Sequence, residues 1–211
     1  MKLFLTVILA ALLVFSVGCG NNSESNADYT PDTEIQDTIW LTVGSRVIRE
    51  TEAKYFIYSS ARMMTNHFPF IEWNHVIEGV PVPEFVKIEA LNSMRLHYAI
   101  YTQAQIRDVM LDDEQISAYN RLIEGYLERL GGEQEFLAYL SEIGLSEALF
   151  SYLHKVEVLA SNLIADAAAS GELNGSSWNV LMMSWRDEVS YTLGEMWENA
   201  DVREIYESLG Y

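Results

Sequence analysis

Beyond Pro83 the sequence contains no proline as far as Tyr211, and this absence limits its possible folds more than any other feature. Proline removes a backbone donor and clashes with the preceding helical turn, so a proline-free run is open to long, unbroken helices. The apolar residues of that run recur at spacings of three and four, the signature of helices with one buried face. Residues 84–110 carry Phe85, Ile88, Leu91, Leu96 and Ile100. The next stripe is Ile116, Tyr119, Leu122–Ile123, Tyr126–Leu127 and Leu130; acids precede it, and Gly131-Gly132 ends it. A short helix follows with Phe136, Leu137, Leu140 and Ile143, closed by Gly144. Ser146 then caps a longer one bearing Leu149, Leu153, Val156, Ala160, Leu163 and Ile164.

Three regions depart from helical patterning. In "DTIWLTVGSRVIRETEA", residues 37–53, Ile39, Leu41 and Val43 alternate with polar neighbours, as in a half-buried strand. Gly44-Ser45 is a turn signal and Val47-Ile48 a return strand, so a small β-hairpin is expected before a helix. That helix places Ala53, Phe56–Ile57, Ser60–Ala61 and Met64 on one face. Pro69, Pro81 and Pro83 mark an irregular connector. Near the end, "SGELNGSS", residues 170–177, separates the helical block from Trp178, Leu181–Met182, Trp185, Val189, Leu193 and Met196–Trp197. Within that segment residues 188–192 fit either helix or a short strand pairing with 39–43. The expected fold class is mostly α with a small β-hairpin near the N-terminus.

The charge balance, 31 acidic against 13 basic residues and a net −18, opposes binding to a phosphate backbone. Several chemistries lack their residues. The four histidines, His67, His75, His97 and His154, have no paired metal spacing and no HExxH occurs. There is no G-x-S-x-G elbow and no glycine-rich phosphate loop. Asp112-Asp113 sits where a helix begins, and capping explains it better than acid–base work. No catalytic residue, cofactor or metal site is expected.

The only cysteine, Cys19, rules out an internal disulfide. It stands at the end of Lys2, the apolar run Leu3–Val14 and the small residues before it, the anatomy of an export signal. Ser16-Val17-Gly18-Cys19 resembles the lipobox of bacterial lipoproteins, with Ser16 where leucine is usual. The resemblance implies cleavage after residue 18, a diacylglycerol thioether on Cys19 and anchoring to the outer face of a cell membrane. Residues 20–32, Asn/Ser-rich and poor in apolar side chains, read as a tether.

The body resembles the helical N-terminal domain of the SurA/PrsA family of extracytoplasmic folding chaperones over residues 38–170. Three stretches carry the likeness: "LTVGSRVIRETEAKYF", the helix start Leu111-Asp112-Asp113-Glu114, and "LGGEQEFLAYLSEIGLSEALFSYLHKVEVLASNL". Gly44-Ser45 and Arg49 stand where that family has Asn-Gly and Thr. Many members insert a parvulin prolyl isomerase after this block, a domain of about a hundred residues, and only "SGELNGSS" occupies that place here. The resemblance implies a holding chaperone without the isomerase. The expected organisation is a signal over 1–18, a tether over 19–36, a helical domain over 37–170, a linker over 171–177, and a segment over 178–211 that packs back. Met63, Met64, Phe68, Phe70, Trp73, Tyr98 and Tyr101 are the candidate peptide-binding residues, because methionine and aromatic side chains adapt to varied apolar segments. The connector 66–83 is the candidate wall. Unfolded or secreted polypeptides are the expected partners; the alternative is a surface adaptor that binds one specific protein.

Overall fold

A computed structural model of the chain describes residues 38–173 and 177–209. The lipobox cysteine Cys19, the signal over 1–18 and the tether over 19–36 lie outside the described residues. The fold is mostly helical with a small antiparallel hairpin near its N-terminal end, as expected.

The hairpin is β1 (Ile39–Val43) and β2 (Arg46–Arg49), turned at Gly44-Ser45. Gly44 has φ +59°, and a Cβ there would lie 2.2 Å from the Tyr98 ring, so only glycine fits. The alternation read from the sequence needs a correction at its first residue. The register shifts between Ile39 and Leu41, and this bulge turns Ile39 outward at 53% exposure while Trp40 and Leu41 are both buried. A third strand, β5 (Tyr191–Leu193), pairs antiparallel with β1 through Leu41–Leu193, Thr42–Thr192 and Val43–Tyr191, giving the order β2-β1-β5. The ambiguous stretch 188–192 thus ends in a strand.

Helix α1 (Glu50–His67) buries Ala53, Phe56, Ile57, Ser60, Ala61 and Met64, the face its spacing marks. The connector after it contains a two-residue hairpin, β3 (Val76–Ile77) and β4 (Val80–Pro81). Its turn residues Glu78 and Gly79 both have positive φ, 51° and 85°, the type I′ geometry that matches strand twist. Helix α2 (Val82–Ile106) begins two residues earlier than the sequence suggests, with Pro83 inside its first turn. Proline is tolerated there because the first-turn N–H groups have no intrahelical partner. The buried face of α2 is Val82, Val86, Ala90, Leu91 and Met94, then Ala99, Ile100 and Ala104. Ile88, read as a core position, is exposed, because α2 is gripped on changing sides by successive partners.

Beyond it come α3 (Asp113–Leu130), α4 (Glu133–Glu142), α5 (Glu147–Ala169), α6 (Trp178–Glu188), α7 (Glu195–Glu198) and α8 (Val202–Leu209). Two apolar clusters share α2, which is about 37 Å long at 1.5 Å per residue. The first joins the three-stranded sheet, α1, the N-terminal half of α2, α7 and α8. The second joins the C-terminal half of α2 with α4, α5 and α6. Buried Lys87 of α2 donates to the Glu198 carbonyl at 2.9 Å, tying the chain's last turns to the spine.

Where the clusters meet, polar groups are buried. The Arg46 guanidinium pairs with Glu52 at 2.9 Å and stacks 3.7 Å from the centre of the Tyr152 ring. Burial holds the Tyr152 phenol well above its ordinary value. His97 lies beside Phe56, ring centroids 5.3 Å apart, and its buried Nδ1 has no hydrogen-bond partner. Burial, with Arg46 nearby, lowers the His97 pKa to about 4.

Candidate peptide-binding cleft

The C-terminus of α2 is stopped by a residue in left-handed backbone, which bends the chain away sharply. Asp108, φ +55°, occupies that position. Its N–H bonds to the Gln105 carbonyl at 3.3 Å, and the Val109 N–H bonds to the Ala104 carbonyl at 2.8 Å. This pair of bonds is the Schellman arrangement, which brings Val109 back over Ala104. The chain then runs through Met110 and Leu111 to Asp112, which caps α3 by accepting from the Gln115 N–H at 2.8 Å. The Gln115 side chain accepts from the Asp112 N–H at 3.0 Å, completing a capping box.

Between this loop and α5 lies a cleft of about 270 Å3, lined by Tyr101, Ala104, Gln105, Asp108, Val109, Met110, Leu111, Lys155 and Leu159. The loop that forms one wall is pinned on both sides. Arg107 makes two bonds to the Glu172 carboxylate, 2.7 and 3.0 Å, and one to Asp166 at 3.2 Å. Its guanidinium lies 4.9 Å from the centre of the Trp185 ring. These contacts hold the Glu172 carboxyl below the usual carboxylate range, chiefly through the hydrogen bonds from Arg107. Asn162 on α5 donates to the Met110 carbonyl at 2.9 Å and accepts from Gln115 at 2.8 Å. The cleft is therefore preformed rather than dependent on a ligand to order it. Met110 is 57% exposed and neighbouring Ile106 71%, so apolar surface continues past the rim.

The seven candidate peptide-binding residues do not converge. Met64 is a core residue of the first cluster. Trp73 packs on that cluster with its ring 5.4 Å from Tyr206. Met63 is half-buried on α1. Phe68 and Phe70 are exposed on the connector, Phe70 at 91%. Tyr98 covers the β1–β2 turn, its hydroxyl accepting from the Ser45 N–H at 3.1 Å. Hydrogen bonding from Ser45 lowers the Tyr98 phenol from its ordinary value. Of the seven, Tyr101 alone lines the cleft, 6.0 Å from Tyr152 and with Lys155 Nζ 5.5 Å from its ring centre.

The connector 66–83, the expected wall, has backbone groups that bond to one another. The Ile71 N–H bonds to the Phe68 carbonyl and the Glu72 N–H bonds to His75 Nδ1. Sequence reasoning missed Met110, Leu111, Lys155 and Leu159. The signal that could have found the loop is "RDVMLDDE", a helix end and a helix start with apolar residues between them. Nothing in the sequence marked the opposing wall on α5.

Among the described residues no group of three or more His, Cys, Asp or Glu could hold a metal ion. Among them, too, no helix is long and apolar enough to cross a membrane. Compared with known proteins, the chain matches no protein-family model, no curated protein and no solved structure.

Proposed function

We propose that this protein is a chaperone-like binder of unfolded or secreted polypeptides, held outside the cell membrane by a lipid on Cys19 and without prolyl isomerase activity. The observation that carries the reading is the preformed cleft between α2 and α5, with apolar walls from Ala104, Val109, Leu111 and Leu159 and an exposed Met110 at its edge. Such a surface takes apolar side chains in many orientations, which suits varied clients. The net charge of −18 keeps a loaded complex soluble and favours basic clients.

The test is light scattering from a reduced, unfolded client at equimolar ratio. Suppression of aggregation is expected, and Met110→Arg, which puts a charge on the exposed apolar edge of the cleft, removes most of it while the far-ultraviolet circular dichroism stays unchanged. No suppression by the wild-type protein would end the holding role. The anchor is tested separately: Cys19→Ala releases the protein from the membrane fraction and changes its gel mobility.

One observation favours the adaptor as a second reading. Phe68, Phe70 and Val76 are each exposed on the same connector, and apolar side chains left exposed within one segment suit a protein–protein contact. A single stoichiometric partner, lost on Phe70→Ser, favours the adaptor. A broad set of secreted proteins, retained on Phe70→Ser, favours the holding role.

A further inference from the structure

The cleft has a cation in its wall, and among the described residues that cation has no acidic partner. Of the three described lysines, Lys54 pairs with Glu50 and Lys87 with Glu84. Lys155 forms no ion pair among the described residues, although the chain carries 31 acids. It lines the cleft instead, with its ammonium over the Tyr101 ring. An ammonium has three donors and no acceptor, and the face of an aromatic ring satisfies it only in part. The natural complement is a carboxylate attached to something apolar, because Ala104, Val109, Met110, Leu111 and Leu159 make up most of the remaining wall.

We propose that this cleft holds the free C-terminus of a polypeptide whose last residues are apolar, with Lys155 receiving the terminal carboxylate. The inference rests on the reading of the cleft as a polypeptide site and narrows it to one end of the chain. Two further groups favour a peptide over a fatty acid. Asp108 and Gln105 also line the cleft, and both offer oxygen acceptors. The last N–H groups of a peptide supply donors to them, whereas an alkyl carboxylate has none. The volume, about 270 Å3, lies just under the usual range for small-ligand pockets. It suits one or two side chains rather than a whole folded segment. The protein's negative charge does not forbid the contact. At physiological salt the Debye length is about 8 Å, so distant carboxylates are screened while Lys155 acts in contact.

The experiment measures binding to the full chain by fluorescence anisotropy in 150 mM salt. The probe is a fluorescein-labelled hexapeptide, Gly-Ser-Gly-Ala-Val-Leu, made as the free acid and as the C-terminal amide. The acid is expected to bind about tenfold more tightly, the scale of one charge-assisted contact in a half-open site. In Lys155→Gln the ratio falls to within twofold through weaker binding of the acid alone. Lys155→Arg keeps most of the preference and serves as the folded control. Equal binding of acid and amide to the wild-type protein overturns the inference and leaves polypeptide binding at the cleft standing. Failure of both peptides to bind overturns the two together. Displacement of the acid peptide by sodium dodecanoate at equal or lower concentration shows a general carboxylate site and overturns the assignment to a peptide end.

Discussion

Single residues in this protein are held by close approach more than by charge. Gly44 is the clearest case, with positive φ and the Tyr98 ring where a Cβ would stand. Gly79 also has positive φ, +85°, but nothing lies within 4 Å of its missing Cβ. The two separate backbone strain from steric conflict. Gly79→Ala is expected to cost about 1 kcal/mol, the penalty of left-handed backbone alone. Gly44→Ala adds overpacking and is expected to cost about 3 kcal/mol in urea unfolding. His97 carries the other residue-scale prediction. Its folded pKa, about 4, lies below the ordinary value of 6.5, so the unfolded chain takes up the proton first as pH falls. Stability is unaffected above pH 6.5, declines between there and pH 4, and levels off below. The loss cannot exceed about 3 kcal/mol at 1.36 kcal/mol per unit. His97→Leu lacks this component, so the gap between its pH–stability curve and that of the wild type should open in that window.

At the scale of elements, helix ends decide where the chain turns, and left-handed residues recur at them. Gly131, Gly144 and Gly171 follow α3, α4 and α5, and Asp108 does the same after α2. Glycine makes the first three readable as stop signals, whereas an aspartate at the fourth hides the end that forms the cleft wall. At the start of α5, Ser146 Oγ accepts from the Leu149 N–H at 3.1 Å. Ser146→Ala should cost about 1 kcal/mol, seen as a lowered urea midpoint with an unchanged slope. Helix α3 has a clear apolar stripe, yet Ser117 is its one fully buried residue. Its Ile123, Tyr126, Leu127 and Leu130 reach the second cluster while remaining partly exposed. Its amides should therefore exchange with solvent deuterium faster than those of α2, whose buried residues run along its whole length.

For the whole molecule, the junction between the two clusters matters most. Arg46 comes from the hairpin, Glu52 from α1, His97 from α2 and Tyr152 from α5, so four elements meet at one buried polar knot. Arg46→Met removes the cation and leaves Glu52 buried without it. Breaking one side of a buried pair costs about 3–5 kcal/mol, and a loss at the low end of that range is expected in calorimetry. Adding Glu52→Gln should recover part of it, because the buried charge that has lost Arg46 then disappears. If the single variant costs nothing, the knot is not what joins the clusters.

The helical character of the chain, the place of the hairpin before the helices and the buried face of α1 were all legible from the residues alone. Those are local properties, written in proline placement, turn residues and apolar spacing. The sequence also marked the glycine stops at 131 and 144. It left residues 188–192 undecided and misjudged Ile39 and Ile88, because the pairing of β5 with β1, the bulge beside Trp40 and the several partners of α2 are set by residues far away in the chain. The candidate site shows the same division. Tyr101 was legible as an aromatic residue, but its neighbours Lys155 and Leu159 lie more than fifty positions away and come beside it only when α5 packs on α2. The place of the concavity came from packing, because a cleft is made by surfaces that no local periodicity brings together.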